Sequence, residues 1–190
     1  MYTIKKLNGS HSSQVLHLYY TCMKEDPYFL QLFKGEFSFD KFCDHFTILV
    51  QLLLSDGICI GAIEGDALIG MTLAFEYRDW ISTKPTIVDR YVFPNQGDVA
   101  GWTTVIREFL SRQDIPTIYM IEVAVDEKYR RKHIAASMVR YMCDEYNPMY
   151  SLVADLSNPA STPLLQNIGF KVYNIDNVPI ARKLGPGRWM

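Results

Sequence analysis

Four basic side chains fall within the five residues Lys128–Lys132, at a point where the character of the chain changes. The apolar stretch Ile121–Val125 before them predicts a buried strand, and the apolar spacing after Arg131 predicts an amphipathic helix. The first turn of a helix carries partial positive charge and unpaired N–H groups, so acidic residues are usual there. Cations at that point indicate that an anion completes the site.

The composition is that of an ordinary globular protein of 190 residues, 48% hydrophobic and 21% charged, with a net charge of −2. This length favours a single domain, residues 1–190, with a substantial core. The near-neutral balance gives no reason to expect nucleic acid as a partner, so the basic cluster acts locally.

The cysteines are widely and irregularly spaced, at Cys22, Cys43, Cys59 and Cys143. With no Cys-x-x-Cys pair, we expect reduced thiols and no metal. The first residues lack the apolar core of a secretory signal. The apolar run 48–54 is far shorter than the roughly 20 residues that span a bilayer. These features predict a cytoplasmic protein with no membrane partner.

Hydrophobic periodicity predicts the element order β, α, α, β, β, α, β, α, β, α, β, β, a mixed α/β fold around one central sheet. The predicted strands are 1–7, 58–63, 67–75, 118–125, 150–156, a strand opening at 170–173 and one more in the tail from 178. The predicted helices are 12–24, a short aromatic-rich turn at 28–33, 39–54, 99–112 with Asp98 as its cap, 131–146 and 159–167. Residues 79–97 are predicted to be a loop with a short strand at 87–91.

Two motifs resemble those of the GCN5-related N-acetyltransferase (GNAT) superfamily. The first is the apolar strand end Val123–Val125 followed by Arg130–Ala135, which is similar to the superfamily's acetyl-CoA-binding pattern Gln/Arg-x-x-Gly-x-Gly/Ala. The second is Asn158 followed by Gly169-Phe170, similar to the superfamily's Asn-opened loop and helix ending at Gly-Phe. The resemblance implies a GNAT-like fold, in which one mixed, largely antiparallel sheet of about six or seven strands is flanked by helices.

The resemblance also implies acetyl-CoA as co-substrate. Its pyrophosphate needs convergent N–H donors and positive potential, which a helix N-terminus after a tight turn supplies. The implied cofactor-binding residues are Val123, Ala124, Val125, Arg130, Arg131, Lys132, His133, Ile134, Ala135, Ala136 and Asn158. Lys128 adds to the positive field. The alternative is a solvated basic turn that binds nothing.

His133 departs from the pattern, because it stands where the superfamily usually has glycine, which lets the backbone approach the phosphate. Three interpretations stay open: the side chain weakens cofactor binding, a protonated imidazole adds a charge, or the ring points to solvent.

Amide formation requires that the amine lose a proton, that an oxyanion be held and that the thiolate leave. Glu122 is the candidate general base, directly or through a water; the alternative is a salt-bridged or edge-facing carboxylate. Tyr119 and Asp126 are further candidates. The tyrosine that the superfamily commonly places seven residues after the Asn, as general acid, is Leu165 here. Ser161, Tyr129 and Tyr173 are candidates to replace it.

The acceptor site is expected mainly within residues 1–115, and the acetyl-CoA core within 117–175. The aromatic-rich segment 26–39 forms either a pocket wall for an amine or ordinary core. The Asp-Pro pair at 26–27 and the tail 185–190 loosely resemble puromycin-type acetyltransferases, which points to a small-molecule amine.

The leading hypothesis is therefore an acetyl-CoA-dependent N-acetyltransferase that acts on a primary amine by direct attack in a ternary complex, as a monomer or homodimer. His133 and Leu165 together motivate the alternative, a degenerate acyl-CoA-binding sensor or interaction module. Nucleic-acid binding by the basic cluster is the third hypothesis, which the overall charge disfavours.

Overall fold

The computed structural model of the chain describes residues 1–33, 36–94, 100–159 and 161–185, with backbone alone at 27, 28 and 31. The strands are β1 (Thr3–Lys6), β2 (Ile58–Glu64), β3 (Ala67–Glu76), β4 (Thr117–Val125), β5 (Ser151–Asp155), β6 (Lys171–Ile175) and β7 (Val178–Lys183). The helices are α1 (Ser12–Met23), α2 (Pro27–Leu32), α3 (Phe39–Asp56), α4 (Tyr77–Thr83), α5 (Pro85–Ile87), α6 (Ala100–Ser111), α7 (Ile134–Tyr146) and α8 (Ser161–Asn167). Short 3-10 turns lie at Gly9–His11 and Glu127–Tyr129, and a π-helical turn at Val88–Val92.

The seven strands form one sheet in the order β1-β2-β3-β4-β5-β7-β6. β1 pairs antiparallel to β2, and β7 pairs antiparallel to both β5 and β6. β4 and β5 are parallel, in a register that runs from Thr117 opposite Ser151 to Met120 opposite Ala154. The mixed, largely antiparallel sheet flanked by helices confirms the fold class expected from the sequence.

Contacts between Cα atoms divide the chain into two compact units, Met1–Leu73 with Glu122–Met138 and Ala74–Ile121 with Val139–Met190. In the first unit, α3 begins where the Ser38 hydroxyl accepts a hydrogen bond from the Lys41 N–H (3.3 Å), and it ends before Gly57, two residues beyond the predicted end at 54. Its apolar stripe buries Phe42 and Val50 completely. Burying a phenylalanine side chain contributes about 1.5–3 kcal/mol, so this stripe is a main source of stability in the unit.

The second unit contains α4 to α6, β5 to β7 and α8. The prediction of a loop at 79–97 was wrong over the described residues, because 77–83, 85–87 and 88–92 are helical. The reason is tertiary burial: Trp80 is fully buried and its ring stacks on Phe75 at 4.7 Å, and Val88 is also fully buried. The predicted strand at 87–91 is therefore absent, and the proposed cap Asp98 lies outside the described residues.

Candidate active site

The basic cluster lies in the turn between β4 and α7, within the first unit. Asp126 begins a 3-10 turn, since its carboxylate accepts a hydrogen bond from the Lys128 N–H (2.9 Å). Arg131 and His133 then adopt left-handed conformations, each with φ +61°. The helix consequently begins at Ile134, and the prediction that it starts at Arg131 was wrong, because left-handed backbone cannot continue a right-handed helix.

The backbone of this turn has the alternating conformations from which anion-binding sites are often built. Left-handed residues that alternate with other conformations turn successive N–H groups toward one concavity. Lys132, between Arg131 and His133, is not among the residues with positive φ. All three residues are exposed, so both the backbone donors and the charged side chains are open to a ligand.

Two of the cations have partners within the turn. Arg130 folds back, and its Nε donates to the Val125 carbonyl at 3.2 Å. The Lys132 ammonium lies 4.9 Å from the centre of the Tyr129 ring. The Lys132 contact is weak, because surface cation–π contacts contribute only about 0.5–1 kcal/mol, and the Arg130 hydrogen bond is exposed, so that water can replace it. The side chains can therefore exchange these partners for a ligand at small cost.

The start of α7 packs tightly on β3 because residue 70 is a glycine. A Cβ built at Gly70 would lie 3.0 Å from Ile134 Cγ2 and 3.1 Å from Met138 Cε. Ile134 and Met138 are buried. The glycine thus allows the first turns of α7, and with them the turn at 130–133, to sit close to the strand.

The His133 side chain is exposed, whereas its backbone carbonyl is hydrogen-bonded to the first turn of α7. The His133 carbonyl accepts the Ser137 N–H (3.0 Å) and the Ser137 hydroxyl (3.1 Å). The positive φ explains the superfamily's usual glycine at this position, because a residue with a Cβ adopts such a backbone conformation only at a cost in free energy. This exposure agrees with the interpretation in which the ring points to solvent.

The end of β4 presents backbone groups that are bonded to side chains. The Val123 N–H donates to the Glu122 carboxylate at 3.1 Å, and the Val125 carbonyl accepts from Arg130 and from the Cys22 thiol (3.6 Å). Ala124 is buried, and both flanking valines are half-buried. The backbone groups that the family resemblance assigns to the cofactor are thus held by exchangeable partners.

Glu122 lies close to the last turn of α1. Desolvation by burial and then the charge of Glu122 together raise the pKa of the Cys22 thiol to about 11, with Arg130 opposing the shift. Cys22 therefore stays protonated at neutral pH and is a poor nucleophile. Glu122 is half-buried, and it lies in β4 itself, next to the strand end that the family resemblance assigns to the cofactor.

The aromatic segment 26–39 packs on itself. Phe29 is buried, 5.8 Å from the Tyr19 ring and 6.1 Å from Phe37, and the rings of Phe33 and Phe37 are 4.9 Å apart. Edge-to-face and tilted pairs at these spacings are typical of aromatic core packing. Of the two alternatives for this segment, the contacts within it favour core.

The second motif lies in the second unit. The Asn158 carbonyl accepts the Ser161 N–H at 3.0 Å, next to the start of α8, two residues after the predicted start at Pro159. The helix ends at Gly169, which has φ +93°. Leu165 is buried, so the position usually taken by the acidic tyrosine is used here for packing. Tyr173 is half-buried, and its ring lies 6.3 Å from Phe109.

Sequence reasoning missed a polar cluster in the same unit. The Asp155 carboxylate accepts a hydrogen bond from the Tyr119 hydroxyl at 2.7 Å and another from the Trp102 Nε1–H at 3.1 Å. Tyr119 was a minor candidate, and Asp155 and Trp102 were not considered as site residues. The available signal was an aspartate closing the apolar strand 151–154.

Across the described ranges, no three His, Cys, Asp or Glu side chains converge as a metal site would require. Nor does any helix in those ranges combine the length and apolar character needed to cross a membrane.

Comparison with solved structures places the fold among acetyltransferases. An agmatine N-acetyltransferase is 12% identical, with a TM-score of 0.71, and the match covers 96% of this chain and 98% of that one. The Drosophila melanogaster polyamine N-acetyltransferase, described as catalysing the formation of N-acetylagmatine, is 12% identical with a TM-score of 0.70, over 97% and 100% of the chains. An N-acetyltransferase from Thermoplasma acidophilum in complex with coenzyme A is 13% identical with a TM-score of 0.58, over 97% and 99%.

No curated protein matches the sequence. The model of the acetyltransferase (GNAT) family, however, matches residues 20–170. That match, over well more than half of the chain and including both sequence motifs, shows that the chain belongs to the GNAT family of acetyltransferases.

Proposed function

We propose that this protein is an acetyl-CoA-dependent N-acetyltransferase that acetylates a primary amine of a small molecule by direct attack in a ternary complex. The observation that carries the proposal is the turn 130–133, with left-handed Arg131 and His133, exposed cations and the start of α7 directly after it. The solved structures named above for agmatine and polyamine acetylation support the choice of an amine acceptor.

The turn fits a pyrophosphate on three counts. Its successive N–H groups form a concavity for anions. The N-terminus of a helix of 13 residues adds partial positive charge. The exposed side chains of Arg131 and Lys132 add formal charge at the same place. Each contribution favours a multivalent anion.

Bound acetyl-CoA would supply the acetyl thioester. On this proposal, the Val123 N–H and the Val125 carbonyl bind its pantetheine arm, after release of their present side-chain partners. Glu122 accepts the proton of the attacking amine, directly or through a water, since its carboxylate lies beside the strand end. General base assistance of this kind typically contributes about 10²- to 10⁴-fold in rate.

The general acid has less support from the structure. Leu165 is buried and has no ionisable proton, so Ser161 and Tyr173 remain proposals for this role, as does Tyr129. A thiol with an ordinary pKa near 8.5 is a tolerable leaving group without an acid. The absence of the usual tyrosine is therefore compatible with a slower enzyme.

The cofactor half of the proposal is tested by calorimetric titration with acetyl-CoA and with acetyl-pantetheine, which lacks the phosphates. We expect the double variant Arg131→Gln/Lys132→Gln to bind acetyl-CoA about tenfold more weakly, as two exposed charges near a helix N-terminus contribute about 0.3–1 kcal/mol each. Its affinity for acetyl-pantetheine should be unchanged. Lys5→Gln, an exposed cation on β1, is the matched control and should change neither. Equal binding of acetyl-CoA by the double variant and wild type would contradict the assigned site.

The reaction is tested by following CoA release with a thiol reagent across a panel of primary amines. Glu122→Gln should lower kcat with every amine that is acetylated, with little change in acetyl-CoA affinity. Tight acetyl-CoA binding without CoA release for any amine would instead favour the sensor hypothesis.

A further inference from the structure

Asp155 closes β5, one residue beyond the last register pair of β5 with its parallel neighbour β4. Each carboxylate oxygen accepts one hydrogen bond from a neutral donor: Tyr119 Oη at 2.7 Å and Trp102 Nε1 at 3.1 Å. Among the residues that the structure describes, no Lys or Arg is recorded against this carboxylate. Asp155 keeps partial solvent access, so a ligand can reach it.

Within the described ranges, an ionised Asp155 has no cationic side chain beside it. Burial raises the pKa of Asp155, and the hydrogen bonds from Tyr119 and Trp102 oppose that shift. Buried carboxylates are normally paired with a cation. A carboxylate offers about four lone-pair directions, of which Tyr119, Trp102 and the backbone N–H of Asp155 itself use three. The site therefore has one acceptor position left for a cationic donor.

The two donors to the carboxylate are aromatic side chains, and further aromatic rings pack on the tyrosine. Tyr119 is buried, with Phe93 at 5.5 Å and Phe75 at 5.9 Å between ring centres. The ring of Trp102, in the first turn of α6, is half-exposed. Aromatic faces attract ammonium and guanidinium groups, while a carboxylate gives them a charge-assisted hydrogen bond. A neutral alcohol can donate one hydrogen bond to the carboxylate but gains neither the attraction between opposite charges nor the cation–π contact, and an anion gains none of these.

We propose that Asp155, supported by Tyr119 and Trp102, binds the amino group of the acceptor as an ammonium ion, before that group loses its proton and attacks, and so selects amines over neutral nucleophiles. This inference rests on the proposed function, because it names the acceptor recognition of that reaction. The location agrees with the general tendency of ligands to bind beyond the carboxyl ends of parallel strands.

The site can be tested without turnover by NMR of the tryptophan indole N–H signals in ¹⁵N-labelled protein. The Trp102 indole donates to Asp155, so its signal reports on the carboxylate, and Trp102→Phe assigns it. We expect n-butylamine to shift this signal saturably, and n-butanol, of the same chain length, to shift it far less at the same concentrations. Asp155→Asn, which removes the charge at constant size, should abolish the shift. The matched control Asp144→Asn, on the exposed face of α7, should retain it.

Kinetics give the second readout. Loss of one charge-assisted hydrogen bond is expected to raise KM for amines about 10- to 100-fold in Asp155→Asn, with KM for acetyl-CoA unchanged. Unchanged amine KM with no amine-specific Trp102 shift would overturn the amine site and leave the reaction standing. Conversely, a Trp102 shift that Asp155→Asn removes, with no amine acetylated, would refute the reaction and leave the amine site standing. If Asp155→Asn does not fold, the wild-type comparison of amine with alcohol decides alone.

Discussion

The left-handed backbone at His133 should be visible in the thermodynamics of single substitutions. Alanine at this position keeps a Cβ in a conformation with φ +61°, which costs an L residue about 1–2 kcal/mol. Glycine removes that cost but gains freedom in the unfolded chain, which lowers stability by about 0.4–1 kcal/mol. We therefore expect the step from His133→Ala to His133→Gly to increase the free energy of unfolding by about 0.5–1 kcal/mol.

Lys132 provides the matched control, because it is the next residue in the same exposed turn and lacks a positive φ. The step from Lys132→Ala to Lys132→Gly relieves no backbone strain and changes only the conformational freedom of the unfolded chain. It should lower the free energy of unfolding by about 0.4–1 kcal/mol. Comparing alanine with glycine at each position cancels the loss of the imidazole and of the Lys132 contact with Tyr129.

The measurement is urea unfolding of the four variants without ligand, followed by circular dichroism. The two alanine-to-glycine steps should change the free energy of unfolding in opposite directions, with a difference of about 1–2 kcal/mol between them. For a chain of this size, each kcal/mol corresponds to roughly 2–4 °C in Tm. Equal losses at both positions would refute the left-handed assignment at 133 and the concavity argued from it. A second titration, with acetyl-CoA, addresses the ring: tighter binding by His133→Gly than by wild type would exclude a favourable contribution of the imidazole.

Two further substitutions test the surroundings of the site. Gly70→Ala should lower the free energy of unfolding by about 1–3 kcal/mol, because the added Cβ overpacks against Ile134 at the start of α7. It should also weaken acetyl-CoA binding, measured by calorimetry. Unchanged affinity would contradict the link between this packing and the turn. The Cys22 thiol, with its pKa at about 11 rather than 9.0, should react with iodoacetamide at pH 8 about 100-fold more slowly than an unperturbed thiol. Glu122→Gln should accelerate that alkylation, since it removes one of the charges that raise the pKa, and mass spectrometry that finds equal rates would argue against their proximity.

Local patterns located the elements whose apolar faces repeat without interruption. The strand predicted at 118–125 is β4, and the hairpin predicted at 58–75 is β2 and β3, with bounds within a residue or two. The region 77–92 was misjudged because its periodicity is broken, notably by Pro85, and the burial of Trp80 against Phe75 decides its helices. Packing partners of this kind are set by the tertiary structure and have no local signature.

In the candidate site too, some features could be predicted from the sequence and others could not. The cation cluster after an apolar strand, and the spacing of Asn158 to Gly169, were enough to indicate the family and its co-substrate. The left-handed conformations at 131 and 133 follow from the need to turn the chain from β4 into α7. Arginine and histidine do not predict such conformations from sequence. The hydrogen bonds of Asp155 join residues 36 and 53 positions apart in the chain. Local patterns report which groups are present and in what order. Only folding decides which charge lies beside which ring, because that depends on strand pairing and helix packing between distant segments.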